Sequence, residues 1–155
     1  MNLIYAGLGR LIYMAALPVM RLFLRRSQRV YVLLQSENEV LVVKNWLSRQ
    51  SWQLPGGGAH HGEAVESAAR RELKEETGLK YSGSFKLVAQ GIWQTDRLGQ
   101  HYKILHGKSS RRRPIKPRRF EIIEANWRPF NSLNEHNSAP EIVAALKLAK
   151  LVGRR

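Results

Sequence analysis

Residues 57–79 read GGAHHGEAVESAARRELKEETGL. Glu72, Glu75 and Glu76 fall within one helical turn, after a glycine run and before Gly78. At 3.6 residues per turn the three carboxylates fan across about 100° of one helix face. Like charges at this spacing repel by about 0.2–0.5 kcal/mol per pair. They also sit near a helix C-terminus, where the macrodipole disfavours anions. A helix selected for stability alone would avoid this arrangement. A divalent cation among the three acids would reverse both penalties, because hard cations take oxygen ligands and bridge carboxylates to phosphates.

Outward from this stretch, the chain of 155 residues has the length of one domain and can bury a real core. It is 43% hydrophobic and 25% charged, an ordinary globular composition. The net charge of +14 implies an anionic partner: a phosphorylated small molecule, a nucleic acid or an anionic membrane. There are no cysteines. That excludes disulfides, thiolate metal sites and cysteine nucleophiles, and accords with a cytoplasmic location.

Before the motif, residues 3–24 are apolar but interrupted by Arg10 and Arg21, and Pro18 kinks or restarts the helix. The longest uncharged run, Leu11–Met20, has ten residues, where a spanning helix needs about twenty. With no basic region ahead of it, the stretch fits a cleaved signal peptide poorly. Two readings stand: a helix docked on the domain's own surface, or an in-plane anchor whose basic collar (Arg21, Arg25, Arg26, Arg29) meets an anionic membrane. Residues 1–28 are read as this extension and 29–152 as the main domain. The location would then be the cytoplasm, with peripheral contact on the inner membrane face.

Arg29–Ser36 and Val40–Trp46 read as a hairpin around SENE. Trp52–Leu54 reads as a short strand leading into Pro55 and Gly56–Gly58, where main chain approaches a ligand closely. The helix runs from about Ala64 to Thr77, with Gly78 as its C-terminal stop. Phe85–Gln94 and Gln100–Gly107 follow as strands around a turn at Asp96–Gly99. Lys108–Arg119 holds seven basic residues in twelve, with two prolines that keep it irregular. Phe120–Trp127 is another strand. The last helix opens at Ser138, with Glu141 completing a capping box, and Ile142, Leu146 and Ala149 form its apolar stripe.

The spacing Gly57, five residues, Glu63, seven residues, Arg71-Glu72-Leu73, one residue, Glu75-Glu76, one residue, Gly78-Leu79 resembles the signature of the Nudix hydrolases at every specified position. Nine positions in 23 residues make it specific, and Trp52-Gln53-Leu54-Pro55-Gly56-Gly57 resembles the usual lead-in. At lower specificity the resemblance runs from about Arg29 to Leu148. It implies an α/β fold, an α/β/α sandwich with a mixed central sheet, here with an N-terminal helical extension. It also implies hydrolysis of a nucleoside diphosphate linked to another group, dependent on Mg²⁺ or Mn²⁺. By position, Glu72, Glu75 and Glu76 correspond to the metal-binding glutamates and the Gly57 carbonyl to the backbone ligand. Glu63 and Arg71 correspond to the supporting ion pair; a carboxylate not saturated by metal can accept the water's proton, and Glu75 is the candidate. Glu121 matches the strand carboxylate that completes the metal site, with Glu124 and then Asp96 as alternatives.

Other residues carry less. His60 and His61 are adjacent, without the spacing of a helical zinc pair, and His101, His106 and His136 show no ligand spacing. Trp52 and Trp127 are assigned to packing, and Trp93 to stacking on a base. In the basic run, Arg111, Arg112, Arg113 and Lys116 are assigned to substrate phosphates or to an RNA backbone. The leading expectation is a pyrophosphohydrolase of a nucleoside diphosphate derivative or nucleotide. The alternatives are an RNA 5′-end pyrophosphohydrolase or RNA-binding protein, and a non-catalytic nucleotide-binding module. A homodimer is a further expected assembly.

Overall fold

The computed structural model of the protein describes residues 28–46, 51–95, 98–117 and 122–152. The expected N-terminal extension, apart from Gln28, lies outside them, as do Asp96 and Glu121. Among the described residues six strands and two helices follow in order: β1 (Arg29–Ser36), β2 (Glu39–Asn45), β3 (Gly56–Gly58), α1 (Val65–Thr77), β4 (Lys86–Thr95), β5 (Leu98–Lys108), β6 (Ile122–Pro129) and α2 (Pro140–Val152), with a 3-10 turn at Phe130–Ser132 before α2. Among the described residues, no helix is long and apolar enough to cross a membrane.

The sheet order is β4-β5-β1-β2-β6, with β3 added on β1. β1 pairs in parallel with β5 along its length and antiparallel with its other neighbours, so the sheet is mixed. Successive strand residues face opposite sides. Accordingly Val30, Val32 and Leu34 pack with Ala68, Ala69 and Leu73 of α1. Leu33 packs with Ile142 and Ala145 of α2, and Tyr31 rests against that cluster. One helix on each face gives the α/β/α sandwich, and it explains why β1 is nearly continuous in apolar residues. Fully burying each large side chain contributes roughly 1.5–3 kcal/mol.

Two details position the site. β1 and β2 form the expected hairpin, with Glu37 in the turn at φ 51, an uncommon conformation for a residue with a Cβ. Only the Gln35–Val40 and Ser36–Glu39 ends pair directly, while the other edge of β2 pairs with β6 along its length. The gap between β1 and β2 is filled by residues 52–58. Gln53 exchanges two main-chain bonds with Val43, Val32 N–H donates to Pro55 O at 2.8 Å, and Gly56–Gly58 pair with Tyr31–Arg29. The sequence places a short strand on Trp52–Leu54, ahead of the glycines. Instead Trp52 and Gln53 form isolated bridges and the strand lies on the glycines. The physical reason is space: a Cβ on Gly56 would collide with Val30 O and the Tyr31 main chain.

Candidate functional site

α1 begins after Ala64 and ends at Gly78, whose φ of 75 and N–H bond to Lys74 O close the last turn. Its inner face carries Ala68, Ala69 and Leu73 into the core. The same side brings Glu72 and Glu76 against β3, at 2% and 5% exposure. Glu76 Oε2 accepts the Gly56 N–H at 2.8 Å. A Cβ on Gly57 would lie 2.6 Å from Glu72 Oε1, so the glycine leaves the space that this carboxylate fills. Glu75, two-fifths exposed, faces outward on the next turn.

Arg71 organises the acids. Its Nε donates to Glu63 Oε1 at 2.9 Å and its Nη2 to Glu63 Oε2 at 2.8 Å, a two-pronged bond. Nη1 donates to Glu72 Oε1 at 2.7 Å and lies 3.5 Å from Glu75 Oε2, while Nη2 also donates to Gly58 O at 2.9 Å. One guanidinium therefore ties the loop, the helix and the glycine strand together. Its bond, followed by the His60 N–H, holds the Glu63 carboxyl down to about 2. The same partnership raises the Arg71 pKa, Glu63 first and Glu72 after it, so the guanidinium stays charged.

Among the described residues, no group of three or more acidic or imidazole side chains is already gathered to hold a metal ion. Arg71 stands between Glu63, Glu72 and Glu75, and Glu121 is not described. The donor set still fits a hard divalent cation. Its atoms are carboxylate oxygens, two of the acids are buried beside a strand of bare main chain, and the Gly57 cradle admits no Cβ. Glu72, Glu75, Glu76 and the Gly57 carbonyl are the groups that would hold it.

The sheet register adds residues that the sequence reading missed. Gly91, Tyr102, Arg29 and Gly58 lie in one row across β4, β5, β1 and β3. Trp93 stacks on Tyr102 with centroids 4.3 Å apart and planes 17° apart. At the same end, Arg29 bonds to Tyr31, and burial together with the charge of Glu141 raises the Tyr31 pKa. Glu141 was expected in a capping box with Ser138. Instead α2 starts at Pro140, Ser138 Oγ donates to Asn137 Oδ1 at 2.7 Å, and Glu141 is buried at 6% exposure. Burial raises its pKa, partly offset by its own N–H, by the charge of Arg29 and by the N–H of Leu54. An acid in the first turn of an otherwise apolar helix was the one available signal.

The basic segment takes a different course. Arg112 pairs with Glu39 at the hairpin end of the sheet, away from β3. Arg113 Nη1 donates to Lys80 O at 3.1 Å, its carbonyl accepts from Trp127 Nε1 at 3.3 Å, and Lys116 N–H donates to Thr77 O at 2.9 Å. These bonds lay the segment over the α1 face with Ile115 against the core. Arg111 is exposed. Glu124 pairs with Lys44 at 3.3 Å. Trp52 is buried beneath Lys44, as its packing role predicts.

A model of the NUDIX domain matches residues 24–147. The RNA pyrophosphohydrolase of Blochmanniella pennsylvanica is 36% identical over 73 residues, 47% of this chain and 42% of that protein. The ADP-ribose pyrophosphatase of Methanocaldococcus jannaschii is 41% identical over 61 residues, 38% of this chain and 36% of that protein. The chain thus spans less than half the length of these curated relatives. A MutT Nudix hydrolase from Burkholderia pseudomallei superposes with a TM-score of 0.66 over 79% of this chain and 96% of its own, at 18% identity, a likeness of fold. The domain match and the nine-position motif on α1 and its flanks agree, and this chain belongs to the Nudix family.

Proposed function

We propose that the protein is a Mg²⁺- or Mn²⁺-dependent pyrophosphohydrolase that cleaves the diphosphate linkage of a nucleoside diphosphate derivative or nucleotide. The observation that carries this reading is the seating of Glu72 and Glu76 on the glycine strand, with Arg71 bracing the cluster. Glu72, Glu75, Glu76 and the Gly57 carbonyl, with Glu121 as a proposed further ligand, would hold a divalent cation, which would supply Lewis-acid polarisation of the phosphoryl oxygens and lower the pKa of a bound water. The chain's own groups do the rest. Glu75 is the more open acid and takes the water's proton as the water oxygen bonds to phosphorus and the anhydride P–O bond breaks. Glu63 and Arg71 fix the angle of the Glu72 carboxylate. The Trp93–Tyr102 stack offers a platform for a base, two strand spacings (about 10 Å) from Gly58. Tyr31 and the buried Glu141, whose pKa burial raises, offer polar contacts at that end.

A second reading, an RNA 5′-end pyrophosphohydrolase, draws on the relative of that name and on the basic segment. The likeness does not discriminate, because the ADP-ribose pyrophosphatase is as similar over its shorter match. Arg112 is already paired at the hairpin end of the sheet, so the small-molecule reading leads. A hydrolysis screen with Mg²⁺ should include ADP-ribose, nucleoside triphosphates and 5′-triphosphate RNA, with product identification. Glu76→Gln keeps an acceptor for the Gly56 N–H and removes only the charge. Its activity should collapse; full activity would reject the role given to the helix acids.

A further inference from the structure

The α2 face of the sheet has a second concavity at the end away from β3. The glycine strand pairs with Arg29–Tyr31, whereas Leu33 and Gln35 lie further along β1, toward the hairpin. There the sheet, the turn after β6 and the second half of α2 enclose a cavity of about 840 Å³. That lies within the roughly 300–1,000 Å³ common for small-molecule sites. Its walls are apolar, including Leu33, Val88, Phe130 and Leu146. Its basic groups gather on one side, Lys86, His106 and Lys108, with Gln35 beside them; Asn38 and Asn131 line the hairpin and β6 side, and no acidic side chain lines it among the described residues. Lys86 pairs with His106 across β4 and β5, and Lys108 is the next residue on that face of β5, a diagonal neighbour at roughly 7–8 Å. Gln35 Nε2 donates to Glu37 O at 2.8 Å, which turns its Oε1 toward His106 Nε2 at 3.0 Å. The imidazole is therefore a donor to Gln35, and burial, then the charges of Lys108 and Lys86, lower its pKa.

An apolar trough with cations at one end suits an amphiphile with an anionic head. We propose that this cavity binds a long-chain carboxylate, its alkyl chain along Leu33, Val88 and Leu146 and its head group between Lys86 and Lys108. A nucleotide fits less well, since among the described residues Phe130 is the carbocyclic aromatic ring in the lining and no acid is there to read a base. The chain's own residues 1–27 are apolar but carry Arg10, Arg21, Arg25 and Arg26, which the two lysines would repel.

The test is calorimetry on the full chain with dodecanoate below its aggregation concentration, with dodecanol and acetate as partial probes. Saturable binding of dodecanoate is expected, dodecanol should bind about tenfold more weakly, and acetate should not register. The double variant Lys86→Glu/Lys108→Glu, at exposed positions, should weaken dodecanoate about a hundredfold, a tenfold loss for each charged contact. Leu146→Trp should block the trough with both lysines in place. The proposal is overturned by absence of saturable binding or by equal affinity in the charge-reversed variant. It is equally overturned by binding that emerges only after removal of residues 1–27, or by association only with phosphatidylglycerol vesicles.

Discussion

Replacing Gly57 by alanine isolates the geometry on which the proposed chemistry rests. The new Cβ would stand 2.6 Å from Glu72 Oε1, 2.7 Å from Cδ and 2.9 Å from Oε2. Ordinary contact begins near 3.4 Å, so the carboxylate must retreat by about 0.8 Å. It cannot retreat without loosening the 2.7 Å bond from Arg71 Nη1. A misplacement near 1 Å costs about a hundredfold in rate when it falls on reacting groups. The backbone itself tolerates alanine, because the described glycines with positive φ are Gly62 and Gly78. The lost flexibility of the unfolded chain even contributes about 0.4–1 kcal/mol toward the native state. The expected outcome is therefore a kcat about a hundredfold lower and Mn²⁺ affinity about tenfold lower by calorimetry, with Tm within about 3 °C of the parent. Gly58→Ala is the matched control, since a Cβ there meets nothing within 4 Å. If Gly57→Ala keeps the kcat and Mn²⁺ affinity of Gly58→Ala, the position of Glu72 does not matter and the reasoning fails.

Glu63, held near 2 by Arg71, favours the folded state at pH values above its ordinary 4.5, and that contribution is lost as pH falls toward 2. Urea midpoints should drop between pH 5 and pH 3 in the parent and less in Glu63→Gln; parallel drops would remove Glu63 from the acid limb. Glu141 has the opposite sign: its raised pKa means stability that is present at low pH and lost as pH rises through the folded value. Glu141→Gln should thus gain in Tm relative to the parent at pH 8 and not at pH 4, and a pH-independent difference would contradict the assignment. Leu73, fully buried between α1 and β1, should cost about 3 kcal/mol as alanine, read from urea denaturation with an unchanged m-value.

Much of the candidate site's placement was legible because its information is local. Nine residues on one helix and its flanks fix which acids share a face, and Gly78 marks where that face ends. The limits of β1 were legible for the same reason, from a run of apolar residues closed by a polar turn. What could not be read is set by register. Nothing local says that Tyr102 falls beside Arg29, or that Glu141 reaches back to Leu54. Each depends on strands and helices distant in sequence choosing one alignment, and a slip by one residue would turn Tyr31 to the other face. The Ser138–Glu141 pattern misled because it is a local rule at a place where tertiary burial, with Pro140 opening the helix, decides the outcome. The course of the basic run was illegible for another reason. Its charge is obvious, but its course is set by main-chain bonds to Thr77 and Lys80, which side-chain composition does not encode.

The pairing of β1 has a consequence for synthesis on the ribosome. Its hairpin partner β2 and the glycine strand β3 emerge soon after it, so α1 can seat its acids while the rest of the chain is still being made. The remaining edge must wait for β5, since Arg29 meets Tyr102 and Gln35 meets Lys108. Until then the nascent chain exposes the unpaired, strongly apolar edge of its central strand, the kind of surface that recruits chaperones or a second unfinished chain. Translation pauses before β5 has left the ribosome should therefore favour aggregation more than pauses after it has emerged and paired.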